Sequence, residues 1–310
     1  MTDLMPQPTM TSVFLRREAL AAGYTDRDIG KRVKSGEWHR VRHGAYVEAG
    51  AWNDLGSVAQ HALLARAVLR QARAAMVLSH VSALPEYDAP AWGLALDVVH
   101  VTRRDQRSGR KESGVCQHQG LLLPGDVERR RGVEVTSATR TAIDITTIAG
   151  TEQSLVVVNH LLHHGHTTLD AVRARYATMD RHPFTLNTDL VLRLADPRME
   201  SVGETRTFFL CWSQGLPAPE PQFIVTDERH TEVARLDFAW PERGVWLEFD
   251  GKEKYVKHLR EGETVADAVL REKRREDRIR ELTGWRCIRI TWADLFFPER
   301  TAARIRAMLS

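Results

Sequence analysis

"RLDFAWPERGVWLEFDGKEKY", Arg235 to Tyr255, contains two short apolar runs on either side of the turn residues "PERG". Leu236 and Phe238 in the first run and Trp246, Leu247 and Phe249 in the second read as buried strands separated by a polar turn. Yet the same runs carry Asp237, Glu248, Asp250 and Lys252. A carboxylate buried without a partner is costly, so these acids sit at an edge, are paired, or bind a cation. In an extended chain successive side chains point to opposite faces. Glu248 and Asp250 therefore share one face and Leu247 and Phe249 the other, and Lys252 joins the acids if the extended conformation survives Gly251. If the turn makes a hairpin, it brings Asp237 beside them.

Such a group suits phosphodiester hydrolysis. Hard oxygen donors hold Mg²⁺ (or Mn²⁺), which keeps waters and bridges to phosphate oxygens, and a lysine orients the attacking water. A bound cation also offsets the mutual repulsion of the carboxylates. On this reading Asp237 and Asp250 are the primary metal ligands and Glu248 a further ligand or water-holder. Lys252 is the water-orienting cation, with Lys254 in its place if Gly251 introduces a bulge, since a one-residue shift reverses the faces. The bland alternative is an edge hairpin carrying solvated acids, and spacing alone leaves both open.

The surrounding segments give this hairpin a domain. Upstream, "DPRMESVGETRTFFLCWSQGLP" reads as a helix with Pro197 near its start and Gly215 at its stop, offering Val202, Phe208, Phe209 and Trp212 for burial. Glu200 and Glu204 stand one turn apart on one face, and Glu204 is a candidate supporting ligand or ligand to a second ion. "PQFIVTD" adds a strand before the hairpin; after it come a charged helix "AVLREKRREDRIRELTG", a strand "WRCIRITW" and a closing helix to Met308. In the charged helix Arg274 and Arg278 are candidate phosphate contacts, while part of the run forms a salt-bridged surface. Trp240, Trp246 and Trp285 read as core.

The bulk properties agree with an ordinary globular chain. At 310 residues it fits two or three domains, at roughly 100–200 residues each. A hydrophobic content of 43% and a charged content of 27% suffice for real cores. Cys116, Cys211 and Cys287 are scattered and odd in number, which argues against a disulfide framework and a structural zinc site. No apolar run is long enough to span a bilayer and no secretory signal opens the chain, so no membrane partner and a cytoplasmic location are expected. A net charge of +3 is too mild to imply a polyanionic partner by itself.

The N-terminal segment concentrates its basic residues. Phe14, Leu15, Ala19, Leu20 and Ala22 recur at helical spacing and Gly23 ends that helix; Thr25 with Asp28 caps a second helix that stops at Gly36. "WHRVRHGAYVE" then reads as a hairpin about Gly44. Together these form a winged helix-turn-helix, with Arg27, Lys31, Arg32 and Lys34 on the second helix and Arg40, Arg42 and His43 on the wing as candidate DNA contacts. A small helical adaptor with solvated basic residues is the bland reading. Between the two ends lies a mixed α/β segment: an Ala-rich helix (Val58 to Ala75), "MVLSHVSAL", a strand "LDVVHVT", a polar loop, and "TSATRTAIDITTIAG", a helix capped by Ser137 or Thr139. His160, His163, His164 and His166 have helix-face spacing, but no acid or cysteine completes a ligand set, so they read as surface and cap residues.

Three segments result, 1–52, 53–189 and 190–310, and the fold class is α/β in the broad sense of an α+β multidomain chain. Asp237, followed after twelve residues by Asp250-Gly251-Lys252, resembles the signature of PD-(D/E)XK nucleases in its spacing, with Leu236 where that signature has Pro. From about Pro197 to the C-terminus, "ESVGE", "GLPAPEPQ", the hairpin and "REKRREDRIRELTGWRCIRITWADL" resemble an actinobacterial domain of unknown function related to very-short-patch-repair endonucleases. Asp250 stands where the repair enzymes carry a histidine, and their later histidine has no obvious counterpart, which puts their metal-and-histidine mechanism and mismatch recognition in question here. "FLRREALAAGYTDRDIGKRVKSGEWHRVRHGAYV" is similar to the winged helix of AbiEi-type antitoxins, and "SHVSAL" and "TSATRTAIDI" resemble the segment C-terminal to the winged helix in those proteins. These resemblances imply a winged helix, a mixed middle domain and a restriction-endonuclease-like sheet domain. The expected function is a metal-dependent DNA endonuclease targeted by its winged helix. The alternative is an AbiEi-type antitoxin or transcriptional regulator whose nuclease-like domain is weakly active or inactive; RNA as substrate, a toxin partner and a homodimer stay open.

Overall fold

The computed structural model describes residues 13–105, 107, 109, 111–112, 114–179, 185–251 and 264–310. They fall into two compact units, one reaching to Leu194 and the other Ala195–Ser310. Both mix helices with sheets, as the sequence implies. No described helix is long and apolar enough to cross a membrane.

The first unit opens with strand β1 (Phe14–Leu15), helices α1 (Arg16–Ala21) and α2 (Asp26–Ser35), and the hairpin β2 (Trp38–Arg42) and β3 (Ala45–Glu48), in a sheet ordered β1-β3-β2. Phe14 and Leu15, expected in the first helix, are a strand instead: they pair with Tyr46 and Ala45, because the edge of β3 would otherwise be left unpaired. The Thr25 cap is as expected. Its hydroxyl accepts from the Asp28 amide at 3.2 Å while the Asp28 carboxylate accepts from the Thr25 amide at 2.9 Å, and Gly36 closes α2 at φ 78°.

After α3 (Ala49–Asn53), α4 (Ser57–Gln71) packs Leu63 and Ala67 into a cluster with Val13, Leu15, Ala45 and Val47. The boundary expected at residue 52 therefore crosses a shared core, and the N-terminal helices and hairpin form one unit with the middle segment. A sheet ordered β6-β7-β5-β4-β9-β8 comes next, from β4 (Met76–Leu78), β5 (Val99–Arg103), β6 (Lys111–Glu112), β7 (Val115–His118), β8 (Val127–Arg130) and β9 (Val133–Thr136). Its inner strands β5-β7 and β4-β9 are parallel pairs. Helices α5 (Ala138–Thr146), α6 (Thr151–His163), α7 (Leu169–Ala177) and α8 (Leu186–Leu194) complete the unit. Ser137 is the cap of α5, and Gly165 at φ 66° comes after α6 among exposed His163 and His164.

The second unit runs α9 (Val202–Ser213), β10 (Glu220–Thr226), β11 (Glu232–Trp240), β12 (Val245–Asp250), α10 (Val265–Thr283), β13 (Arg286–Thr291) and α11 (Pro298–Leu309). The sheet order is β10-β11-β12-β13, with β12 and β13 parallel and the other pairs antiparallel. A parallel pair needs a crossover, and α10 supplies it. The start of α9 differs from the reading of the sequence: Ser201, not a residue beside Pro197, caps the helix through the Glu204 amide at 3.1 Å. Its buried face accordingly carries Gly203, Glu204, Thr207, Leu210 and Cys211, while Trp212 stays 43% exposed and Phe208 and Phe209 half-buried. One sheet face packs Phe238, Trp240, Val245, Leu247, Phe249, Ile288 and Ile290 on residues of α9 and α11; the other packs Leu236, Ala239 and Trp246 on Ile279 of α10.

Candidate functional site

The hairpin splits at Asp237. Backbone pairing of β11 with β12 runs Trp240↔Val245, Ala239↔Trp246, Phe238↔Leu247 and stops. At the next rung the Asp237 carboxylate takes the place of a backbone carbonyl, accepting the Phe249 N–H at 2.7 Å. Beyond it β11 stays with β10 through Leu236↔Phe223, while β12 stays with β13 as far as Asp250↔Thr291. The regular alternation of β11 also fails there. Leu236 packs in the cluster facing α10 and Phe238 in the opposite one, and Gln222, across from this point on β10, takes the left-handed φ of 54°.

Glu204 reaches the same place from α9. A Cβ on Gly203 would lie 2.0 Å from Cε1 of Phe249, so glycine is what allows the first turn of the helix to rest on β12. The Glu204 carboxylate, 5% exposed, accepts from the Ser201 hydroxyl at 2.7 Å, the Glu200 amide at 2.9 Å and the Gln222 side-chain amide at 2.9 Å. Burial, and next the neighbouring Asp237 charge, push its carboxyl above the ordinary glutamate value. Glu200 precedes the helix and so does not share a helical face with Glu204; its carboxylate pairs with Arg235 at 2.8 Å.

On the α10 side the acids meet arginines. Glu248, 6% exposed, pairs with Arg275 at 3.2 Å, and the same guanidinium donates to the Arg235 carbonyl at 2.6 Å and lies 3.1 Å from Glu272. Asp250 stands 3.8 Å from Arg289, which also bonds Glu276 at 2.8 Å. Burial works against the charge of Arg275, but Glu248, Glu272 and Asp237 outweigh it and hold its pKa above the ordinary value. The expected sharing of a face by Glu248 and Asp250 is what the packing shows, since Leu247 and Phe249 lie in the opposite cluster.

No family model matches the chain. Two uncharacterised proteins of Mycobacterium tuberculosis, one from strain CDC 1551 / Oshkosh and one from strain ATCC 25618 / H37Rv, are each 33% identical to it over 116 residues. That stretch is 37% of this chain and 39% of each relative, so the chain spans about two fifths of the length of the curated relatives it matches.

The sequence-selected residues thus divide. Glu204 feels the charge of Asp237, and Glu248 and Asp250 line the side of β12 that meets the arginines. Lys252 and Lys254 lie outside the described residues. Arg274 and Arg278 are exposed, Arg278 beside Glu281 at 3.2 Å, whereas Arg275 and Arg289 contact the acids and were not singled out by the sequence. A signal for Arg275 exists: it stands one helical turn before Ile279, a buried residue of α10, so it belongs to the inward face. The donor chemistry of Asp237, Glu248 and Asp250 suits a hard cation such as Mg²⁺, and a cation would relieve the crowding of charge between Asp237 and Glu204. Among the described residues, however, the group that places three ligand atoms within 4.8 Å of one another is His80, His100 and His118, not these acids.

At the other end of the chain Arg27, Lys31 and Lys34 on α2 and Arg40 and His43 on the hairpin of β2 and β3 are exposed. Arg32 is otherwise engaged: it pairs with Glu37 and lies 5.1 Å and 5.3 Å from the ring centroids of Tyr24 and Trp38, covering the small core. Arg42 is half-buried, and desolvation lowers its pKa.

Proposed function

We propose that this chain is a metal-dependent DNA endonuclease, with phosphodiester hydrolysis in the second unit and DNA attachment through the winged helix. The observation that carries this reading is the split at Asp237, which places one carboxylate at the fork of two strands with Glu204 and Glu248 buried beside it. A fold has no use for buried acids at a sheet opening unless something positive belongs there. In this reading Asp237, Asp250 and Glu248 hold Mg²⁺ or Mn²⁺, which when bound supplies charge stabilisation for a phosphoryl oxygen. The Phe249 amide fixes Asp237, Glu204 supports it from α9, and Lys252 orients the attacking water. Arg27, Lys31, Lys34 and Arg40 make phosphate contacts, with Arg274 and Arg278 doing so beside the cleaved strand. The resemblances to PD-(D/E)XK nucleases and to AbiEi-type antitoxins belong to this reading.

The test is cleavage of single-stranded, duplex and mismatched DNA in Mg²⁺ or Mn²⁺ by the intact protein, beside Asp237→Asn, Asp250→Asn and Lys252→Ala. Metal-dependent cutting that drops about 10²-fold or more in each folded variant supports the reading. Salt-dependent duplex binding by a wild type that cuts nothing overturns it in favour of a second one, a DNA-binding regulator of antitoxin type. The observation favouring that alternative is that Arg275 and Arg289 already neutralise Glu248 and Asp250.

A further inference from the structure

The middle of the first unit carries a group of side chains that the nuclease reading leaves unused. His80 comes just after β4, His100 lies in β5 and His118 ends β7, and these three strands are neighbours in the sheet. Residues His100 and His118 are offset by two along parallel strands, since His100 pairs with Cys116 and Thr102 with His118, so they share a face. Nδ1 of His100 is 2.8 Å from Nε2 of His118. The ring of His80 stacks on that of His118 with centroids 3.7 Å apart and planes 18° from parallel. One ring nitrogen from each of the three lies within 4.8 Å of those of the other two. His80 reaches this position through a left-handed backbone, φ 52°, a conformation that costs a residue with a Cβ roughly 1–2 kcal/mol. Strain of this kind persists where the surrounding structure enforces a function.

A second, separate observation points to the same place. Asp144 on α5 is 1% exposed. Its Oδ1 accepts from Arg140 Nε at 2.7 Å, and Arg140, itself 2% exposed, is fixed by the Leu121 carbonyl at 2.8 Å and by Asp126 at 3.4 Å. The other oxygen, Oδ2, accepts no hydrogen bond among the described residues and faces Nδ1 of His80 at 4.0 Å. An unsatisfied buried carboxylate oxygen is expensive unless its neighbour carries positive charge. On the near side, Nδ1 of His80 is 2.9 Å from the Ser79 hydroxyl, which accepts from Thr102 at 2.8 Å. Both groups lie on the Nδ1 side of the His80 ring. A carboxylate behind a histidine, fixing its tautomer and raising its basicity, is how proteins support metal-bound imidazoles. A hydrogen-bonded trio of neutral rings accounts for the contact between His100 and His118 but not for the second oxygen of Asp144.

We propose that His80, His100 and His118 bind a divalent transition-metal ion, with Asp144 as the positioning residue behind His80. Three imidazoles without a thiolate suit Zn²⁺ and its neighbours in the series and not Mg²⁺. A trigonal set of ligands at about 2.0–2.1 Å is reached by rotating the stacked rings apart, and three protein ligands leave a fourth position for water or an anion. His100 and His118 are half-buried, while His80 is 4% exposed. The site rests on nothing in the second unit and stands or falls apart from the nuclease reading.

The test uses the full chain, stripped with a chelator and titrated with Zn²⁺ by calorimetry and with Co²⁺ by visible absorption. Wild type should take up an equimolar ion and give the intense Co²⁺ band of a low-coordinate site. His100→Gln and His118→Gln should abolish both signals, Asp144→Asn should weaken Zn²⁺ binding about 10–100-fold, and His163→Gln/His164→Gln should change neither. Folding of each variant is checked by circular dichroism. In wild type, imidazole ¹⁵N shifts on zinc addition should move for His80, His100 and His118, which locates the site even where a variant does not fold. No uptake by wild type, uptake that persists in both glutamine variants, or shifts confined to His160, His163, His164 and His166 would overturn the proposal.

Discussion

A carboxyl buried beside another carboxyl titrates late, and Glu204 is such a group: burial first and Asp237 second raise it above 4.5. Between that value and its folded-state value the native protein holds a proton that the unfolded chain has already lost. Stability from this group is therefore fully present below pH 4.5, falls as pH rises through the interval, and is flat above it. The unfolding midpoint in urea should show this decline, and Glu204→Gln should remove it, at the cost of about 1–2 kcal/mol from lost hydrogen bonds. Asp237→Asn should narrow the interval by taking away the neighbouring charge. A wild-type profile with the same slope as Glu204→Gln would contradict the placement of the acid. In the sequence Glu204 was recognisable as a helical acid near the hairpin. Its role as a cap partner of Ser201 was legible too, from the serine three residues before it, but was obscured by the attraction of Pro197 as a helix start.

Helix α10 shows how much an element hides behind a run of charges. Read as "REKRREDRIR", it offers arginines on every side, and the exposed Arg274 and Arg278 look as suitable as any. Packing sorts them. Ile279 is fully buried against Trp246 and Leu236, so Arg275, a turn earlier, is carried under the helix to Glu248. Replacing Arg275 by Leu should cost about 2 kcal/mol, below the 3–5 kcal/mol of a fully buried broken pair because Arg275 is 31% exposed. Adding Glu248→Leu should recover most of that loss, since the buried charge left behind is then gone. A double-mutant cycle on urea midpoints gives the coupling, and strict additivity of the two changes would show that the pair contributes nothing.

At the scale of the molecule the division at Leu194 has a direct consequence. A fragment 195–310 contains both sheet faces of the second unit and should unfold cooperatively alone, whereas a fragment 1–52 lacks Leu63 and Ala67 and should not. Circular dichroism melts of the two fragments decide this; a cooperative transition in 1–52 would mean that the core shared with α4 is dispensable. Composition marks where polar turns lie, not which later helix completes a core, so the packing of α4 on Leu15 and Val47 is not legible in the sequence. By itself the sequence determined the broad α/β class, the strands and turn of the hairpin, the cap of α2, and the sharing of one face of β12 by Glu248 and Asp250, because each arises from local periodicity, turn chemistry or alternation. Tertiary structure alone decided three things: the pairing of Phe14 and Leu15 with β3, the meeting of Arg275 and Arg289 with the acids, and the convergence of His80, His100 and His118 from three strands. Each joins residues far apart in the chain. Such contacts are selected by which surfaces bury one another, and no local pattern of residues records that choice.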